Sequence, residues 1–136
     1  MSPFIEDIRA RASELDCTIV FPESHDERVV AAATVLAKSG LVRPVLVLDP
    51  SRPETYGAAR ASGAASVESD GDSPLEFADR LVASGAFDGC VAGAVHTTSD
   101  VLRAALRIIG VAPGLKTASS AFYMVSPGHW EAAAEV

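Results

Sequence analysis

The stretch Asp88-Gly-Cys-Val-Ala-Gly-Ala-Val-His-Thr-Thr-Ser-Asp-Val-Leu-Arg103 is an apolar run that stops at glycine and restarts as a polar, hydroxyl-rich helix opening. Residues 90–92 fit a buried strand, and Gly93 lets the backbone approach other groups closely. Thr97 and Asp100 form the Thr-x-x-Asp pattern of a helix N-terminus. The stretch therefore predicts a strand, a tight turn and a helix.

The same corner is a candidate anion site. Its unpaired N–H groups and the positive end of the helix dipole favour phosphate or carboxylate. Arg103 falls in the second turn, and long helical side chains lean toward the N-terminus, so its guanidinium is expected to reach the same anion. The alternative is structural: Thr97 and Asp100 only cap the helix, and Arg103 pairs with Asp100. His96 is either a ligand or acid–base group, or simply an exposed loop histidine.

Strand and helix patterns alternate about five times along the chain. Apolar residues at helical spacing predict helices near residues 4–15, 27–37, 54–62, 74–82 and 98–109. Short β-rich runs predict strands at residues 18–21, 44–48, 65–68, 90–92 and 119–125. We therefore predict an α/β fold: an open, doubly wound, mostly parallel sheet of about five strands with helices on both faces, a three-layer α/β/α arrangement.

A second polar corner follows the first strand, where Glu23, His25 and Arg28 lie close together in sequence. Ser24-His-Asp-Glu27 has the spacing of a capping box. Simple capping and surface pairing of Glu23 with Arg28 is the favoured interpretation, and orientation of a substrate is the alternative. In a doubly wound sheet both corners lie at the edge where ligands bind.

Composition narrows the function. The 136 residues are 49% hydrophobic and 21% charged, which is typical of one folded domain. With 11 basic and 18 acidic residues the net charge is −7, which argues against nucleic-acid binding. The two cysteines fit no metal or redox motif, so we expect buried reduced thiols, no metal and a cytoplasmic location. We find neither a signal peptide nor a membrane span.

Several ordered motifs resemble the phosphate acetyltransferase and phosphate butyryltransferase family. They are Ile19-Val-Phe-Pro-Glu-Ser-His-Asp-Glu-Arg28, Phe87-Asp-Gly-Cys-Val-Ala-Gly-Ala-Val-His-Thr-Thr-Ser-Asp-Val-Leu-Arg-Ala-Ala-Leu106, Ile108-Ile-Gly and Ala118-Ser-Ser-Ala-Phe-Tyr-Met124. The resemblance implies acyl transfer between coenzyme A and phosphate, with an acyl phosphate as substrate or product. Coenzyme A or acetyl-CoA is then a substrate, and no cofactor is bound tightly.

The resemblance also implies roles for residues of the corner. Arg103 matches an arginine that the family uses for substrate phosphate, and we predict that it is catalytic because it neutralises charge as the thiolate attacks the acyl carbonyl. The predicted phosphate ligands are Gly93, His96, Thr97, Thr98, Ser99 and Arg103.

The chain also departs from the family pattern. Residues 1–136 are expected to be a single domain resembling the N-terminal α/β part, without the second domain or the serine, arginine and aspartate assigned to catalysis. We expect an enzyme that is active alone, as a homodimer or with a partner chain, acting on acyl phosphate, phosphate and coenzyme A. The alternative is a catalytically silent phosphate-binding or regulatory module. A dinucleotide binder fits the fold but lacks the glycine-rich fingerprint.

Overall fold

A parallel sheet between two layers of helices forms the centre of the molecule. The structure is a computed structural model that describes residues 2–71 and 73–126. Four strands are present in this part of the chain: β1 (Thr18–Phe21), β2 (Arg43–Leu48), β3 (Ala65–Glu68) and β4 (Gly89–Cys90). The helices are α1 (Pro3–Leu15), α2 (Glu27–Ser39), α3 (Tyr56–Ala61), α4 (Pro74–Ala83) and α5 (Thr98–Ile108), and a 3₁₀ turn (Pro53–Thr55) precedes α3.

Alternation along β2 builds the two helical layers. Leu46 and Leu48 face one side of the sheet, where they pack with Phe21, Ala33 of α2 and Ala59 of α3. Val47 faces the other side, where it packs with Val20 and Ala78 of α4. Successive side chains of a strand point to opposite faces, so a nearly all-apolar strand needs a cover on each side. The predicted three-layer α/β/α fold is confirmed.

The predicted number of strands is too high. Residues 119–125 were expected to form a fifth strand, but residues 119–126 adopt no regular secondary structure. Strand propensity takes effect on a half-buried surface beside a partner strand. Here β4 is only two residues long, rather than the three expected, and the side chains of Phe122 and Met124 are 94% and 84% exposed. The sheet described therefore has four strands.

The order β3-β2-β1-β4 creates a switch point beside β1. All neighbouring strands are parallel, and the chain moves from β1 to β2 on one side but later returns to β4 on the other. The connections after β1 and β4 therefore diverge at the carboxyl edge of the sheet, which is where doubly wound folds form a ligand crevice. This topology places the two polar corners of the sequence next to each other.

The helix that follows each corner begins at a side-chain cap. Asp26 caps α2, since its Oδ1 accepts a hydrogen bond of 2.9 Å from the N–H of Arg28. Ser24, the first residue of the expected capping box, instead donates its hydroxyl to the carbonyl of Val47. Thr97 caps α5 as predicted, with its Oγ1 3.2 Å from the N of Asp100. Each helix thus starts at a fixed residue of its corner.

Helix α5 packs against α4, and its Ala104 is buried. Its apolar residues Leu102, Leu106 and Ile109 remain 42–52% exposed. The helices of the described ranges are all too short or too polar to cross a membrane.

Candidate functional site

The carboxylate of Glu23 joins the two corners. Glu23 follows β1 and is 1% exposed. Its Oε1 accepts hydrogen bonds from the N–H groups of Gly93 (2.8 Å) and Ala94 (2.9 Å), and its Oε2 accepts from those of Val95 and His96, both at 2.7 Å. Four consecutive backbone donors thus surround one buried charge. Such a concave set of N–H groups is a typical anion-binding nest.

This contact changes the interpretation of Gly93 and His96. Both were predicted as phosphate ligands, and their backbone N–H groups already donate to Glu23. The φ angle of Gly93 is +115°, a value that disfavours any side chain, and it helps the loop to curl around the carboxylate. The backbone donors left for an external anion lie further along, in the first turn of α5.

The pKa of Glu23 reflects competition between burial and these donors. Burial raises the pKa, but the hydrogen bonds from His96, Val95 and Ala94 outweigh it and lower the pKa from 4.5 to about 2. Glu23 is therefore ionised at neutral pH, and its two oxygens act only as hydrogen-bond acceptors.

The imidazole of His96 completes this arrangement. Its Nδ1 lies 2.9 Å from Oε2 of Glu23, and the side chain is 29% exposed. Because the carboxylate can only accept, Nδ1 carries the hydrogen of this bond. A carboxylate that fixes the tautomer of a histidine in this way is a common arrangement in functional sites. The sequence placed His96 in the site but did not connect it with Glu23.

Arg28 does not pair with Glu23, the contact favoured from the sequence. Its guanidinium binds both oxygens of Asp26 and donates from Nη2 to the carbonyl of Ala94 at 2.8 Å. The hydrogen bond from Arg28 is the main cause that lowers the pKa of Asp26 to about 2. Arg28 therefore links the start of α2 to the same loop whose N–H groups bind Glu23.

Arg103 lies on α5 with an exposed guanidinium that makes one ion pair. Its Nη1 lies 3.2 Å from Oδ1 of Asp100, and its side chain is 72% exposed. Pairing of Arg103 with Asp100, three residues before it on the helix, was the alternative to an anion site in the sequence analysis. Thr98 and Ser99 are exposed in the first turn of the same helix, beside Thr97.

A cleft of about 200 Å³ separates α4 from α5. Arg103, Arg107 and His96 line it together with residues from the start of α4. The carboxylates in its wall, Glu76 and Asp100, form ion pairs with Arg107 and Arg103 respectively. The cleft thus brings Arg103 and the side chain of His96 together, whereas Gly93 lies on the Glu23 side of the loop.

A second, largely apolar cavity of about 240 Å³ lies at the switch point itself. Its wall contains Phe21, Val29, Ala32, Val91 and Ala92, with Glu23, Arg28 and Ala94 as its remaining members. The loop held by Glu23 therefore separates an apolar cavity from the cleft that carries the arginines.

Glu23 is the residue that sequence reasoning underestimated. An acidic residue directly after a buried strand, with an N–H-rich glycine turn after a neighbouring strand, was the available signal. The contact spans about seventy residues of chain, so only the order of the strands reveals it.

Comparison with known proteins places this geometry in a family. The family model described as "Phosphate acetyl/butaryl transferase" matches residues 3–72 and 63–135. The chain is 36% identical over 144 residues to a phosphate acetyltransferase of Paracoccus denitrificans, covering 91% of this chain and 45% of that protein. It is 34% identical over 154 residues to one of Acetivibrio thermocellus, covering 91% and 46%.

A solved structure shares the fold. A phosphotransacetylase from Streptococcus pyogenes superposes with a TM-score of 0.72 at 28% identity, over 86% of this chain and 46% of that one. The chain thus spans less than half the length of these relatives. The match to the family model nevertheless extends over most of the sequence, including both corners, and the chain belongs to the phosphate acetyl/butaryl transferase family.

Proposed function

We propose that this chain binds phosphate in the cleft between α4 and α5, as part of an acyl transfer between coenzyme A and phosphate. The observation that carries the proposal is the cleft itself: Arg103 in the middle of α5, Arg107 in its last turn and His96 just before it line one cleft in a chain of net charge −7. Guanidinium groups on an otherwise acidic protein favour a small, strongly negative ligand. Acyl phosphate and inorganic phosphate are such ligands.

In this proposal Arg103 is the principal phosphate ligand and catalytic cation. Its only polar contact with the described residues is the one to Asp100, which leaves Nε and Nη2 for an oxyanion. Thr98 and Ser99 are not among the residues that line the cleft, but they are exposed in the first turn of α5, next to the capping residue Thr97. We propose that they add hydroxyl and N–H donors to the phosphate at the positive end of the helix. The backbone of Gly93 and His96 fixes the loop beside the site, because the N–H groups of both residues donate to Glu23.

The chemistry follows from these positions. The thiolate of coenzyme A attacks the carbonyl carbon of the acyl phosphate, the carbon–oxygen bond to phosphate breaks, and phosphate leaves with the electron pair. Arg103 would neutralise the charge that grows on the leaving phosphate, a type of interaction whose removal commonly costs about 100-fold or more in rate. Coenzyme A is a substrate in this scheme, and no tightly bound cofactor is needed.

Activity is proposed to need a second chain, either another copy or a partner. Leu102 and Leu106 on α5, Ile109 directly after it and Val91 after β4 are 42–56% exposed. Apolar surface of this kind is usually covered by another protein surface. A homodimer is the simplest such assembly, and light scattering at micromolar concentration should therefore show a mass above that of the monomer.

A catalytically silent phosphate-binding or regulatory module is the second candidate. It is favoured by one observation, that both arginines of the cleft already form ion pairs, Arg103 with Asp100 and Arg107 with Glu76, which reduces the positive charge available to a transition state.

One assay separates the two candidates. Purified protein is mixed with acetyl phosphate and coenzyme A, and thioester formation is followed by absorbance in the oligomeric state found in solution. We expect turnover that Arg103→Ala reduces by about 100-fold. Phosphate binding without turnover above background would refute the enzyme and favour the silent module.

A further inference from the structure

The Glu23–His96 pair determines which nitrogen of His96 is left for a ligand. Nδ1 of the imidazole is held 2.9 Å from a carboxylate oxygen that is 99% buried with the rest of Glu23. That oxygen also accepts the N–H groups of Val95 and His96, so the ring is fixed at its Nδ1 edge. The nitrogen that remains for the cleft is Nε2. In the neutral imidazole it has a lone pair and no hydrogen.

The two arginines of the cleft have the opposite hydrogen-bonding character. Arg103 and Arg107 can only donate, as can the backbone at the start of a helix. The carboxylates in the wall, Glu76 and Asp100, each hold one of those arginines through one oxygen, and their negative charge opposes an anion. His96 adds to the cleft an acceptor that carries no negative charge.

We propose that Glu23 is a positioning residue that makes Nε2 of His96 an uncharged acceptor in this cleft, so that the cleft selects hydrogen phosphate over sulfate. This inference rests on the proposed function and concerns inorganic phosphate, the ligand of that reaction that keeps a hydroxyl. The two anions have the same shape, but phosphate keeps a hydroxyl hydrogen at neutral pH and sulfate has none. Nε2 accepts the hydrogen bond of that hydroxyl while Arg103 binds the other oxygens. Sulfate would instead place an oxygen lone pair against that of Nε2.

The size of the selectivity follows from the cost of an unmatched polar contact. Sites that hydrogen-bond a ligand hydroxyl discriminate strongly against analogues without one, since the acceptor loses its partner. His96 is partly exposed, so water offsets some of this cost. We expect phosphate to bind at least about tenfold more tightly than sulfate.

Two measurements on the full chain test the inference. Nitrogen NMR of His96 at about pH 8, where imidazole is ordinarily neutral, should show the hydrogen on Nδ1 in the wild type and a mixture of tautomers in Glu23→Ala. Calorimetry with inorganic phosphate and with sulfate should give the tenfold ratio, and His96→Ala should reduce it to about one. His96→Ala leaves Glu23 with its four backbone donors, so this variant remains informative if Glu23→Ala does not fold.

The outcomes separate this inference from the proposed phosphate site. Equal binding of the two anions by the wild type, a hydrogen on Nε2, or an unchanged ratio in His96→Ala would refute the role of His96 and leave the phosphate site intact. Binding of neither anion would refute the phosphate site and the selectivity together.

Discussion

Replacing Glu23 by glutamine removes one buried charge and keeps the size of the side chain. In the wild type this carboxylate accepts four backbone N–H groups and the Nδ1–H of His96. The amide has one acceptor oxygen in place of two, and its NH₂ group faces donors. We therefore expect Glu23→Gln to lower the free energy of unfolding at neutral pH.

The magnitude follows from the shift in pKa. Burial raises the pKa of Glu23, but the hydrogen bonds from His96, Val95 and Ala94 outweigh this effect, and the pKa falls from 4.5 to about 2. A shift of about 2.5 units corresponds to roughly 3 kcal/mol between the charged and neutral forms. Because the folded-state pKa is depressed, this stabilisation is present above about pH 4.5 and is lost as the pH falls toward 2.

Urea unfolding of the wild type and Glu23→Gln between about pH 7 and pH 2.5 measures this contribution. The difference between the two proteins should be roughly 3 kcal/mol near neutral pH and should shrink steadily below about pH 4.5. Asp26, whose pKa is lowered to about 2, is present in both proteins and cancels in the comparison.

Glu54→Gln is the matched control, since Glu54 is exposed in the 3₁₀ turn before α3. This variant should follow the wild-type curve. A difference between wild type and Glu23→Gln that stays constant from neutral to acid pH would refute the reasoning.

Three further perturbations have defined outcomes. Thr97→Ala removes the cap of α5 and should cost about 1 kcal/mol in urea unfolding; no loss would mean that the cap contributes nothing. Leu46→Ala truncates a side chain that is 0% exposed on the central part of the sheet and should lower the free energy of unfolding by about 2–5 kcal/mol. A loss of less than about 1 kcal/mol would contradict the packing described. Burial, followed by the charge of Asp79, raises the pKa of Cys90 to about 12. In a Cys17→Ser background the Cys90 thiol should therefore react with a disulfide reagent at about pH 8 only when the protein unfolds. Prompt reaction of the folded protein would contradict this.

The strands and helices were predictable where local pattern and tertiary role agree. The continuous apolar run of β2 predicted a strand covered on both faces, and Val47 and Leu46 do pack on opposite helical layers. Residues 119–125 have a similar composition, but strand composition alone cannot provide the neighbouring strand that the segment needs. The predicted strand number was therefore wrong because residues 119–125 needed a neighbouring strand to pair with, which the local sequence does not specify.

For the candidate site, the sequence predicted an anion at the turn after β4 but not the carboxylate that binds there. The N–H-rich turn beginning at Gly93 indicated a bound anion, and these donors do surround one, the carboxylate of Glu23. Two strand ends distant in sequence meet there because β4 pairs with β1, a choice that local patterns do not encode. The roles of Thr98, Ser99 and Arg103 toward phosphate stay predictions.

The phosphate site is tested most directly by isothermal titration of inorganic phosphate into wild type, Arg103→Ala and Arg11→Ala. Arg11 is the matched control because it too is an exposed helical arginine, 75% exposed and paired with an acidic residue of its own helix, but it lies on α1. We expect Arg103→Ala to weaken phosphate binding by about tenfold to 100-fold, the value of a hydrogen-bonded charge, and Arg11→Ala to leave it unchanged. Equal phosphate affinity in all three proteins would contradict the account, because Arg103 would then serve only as the ion-pair partner of Asp100.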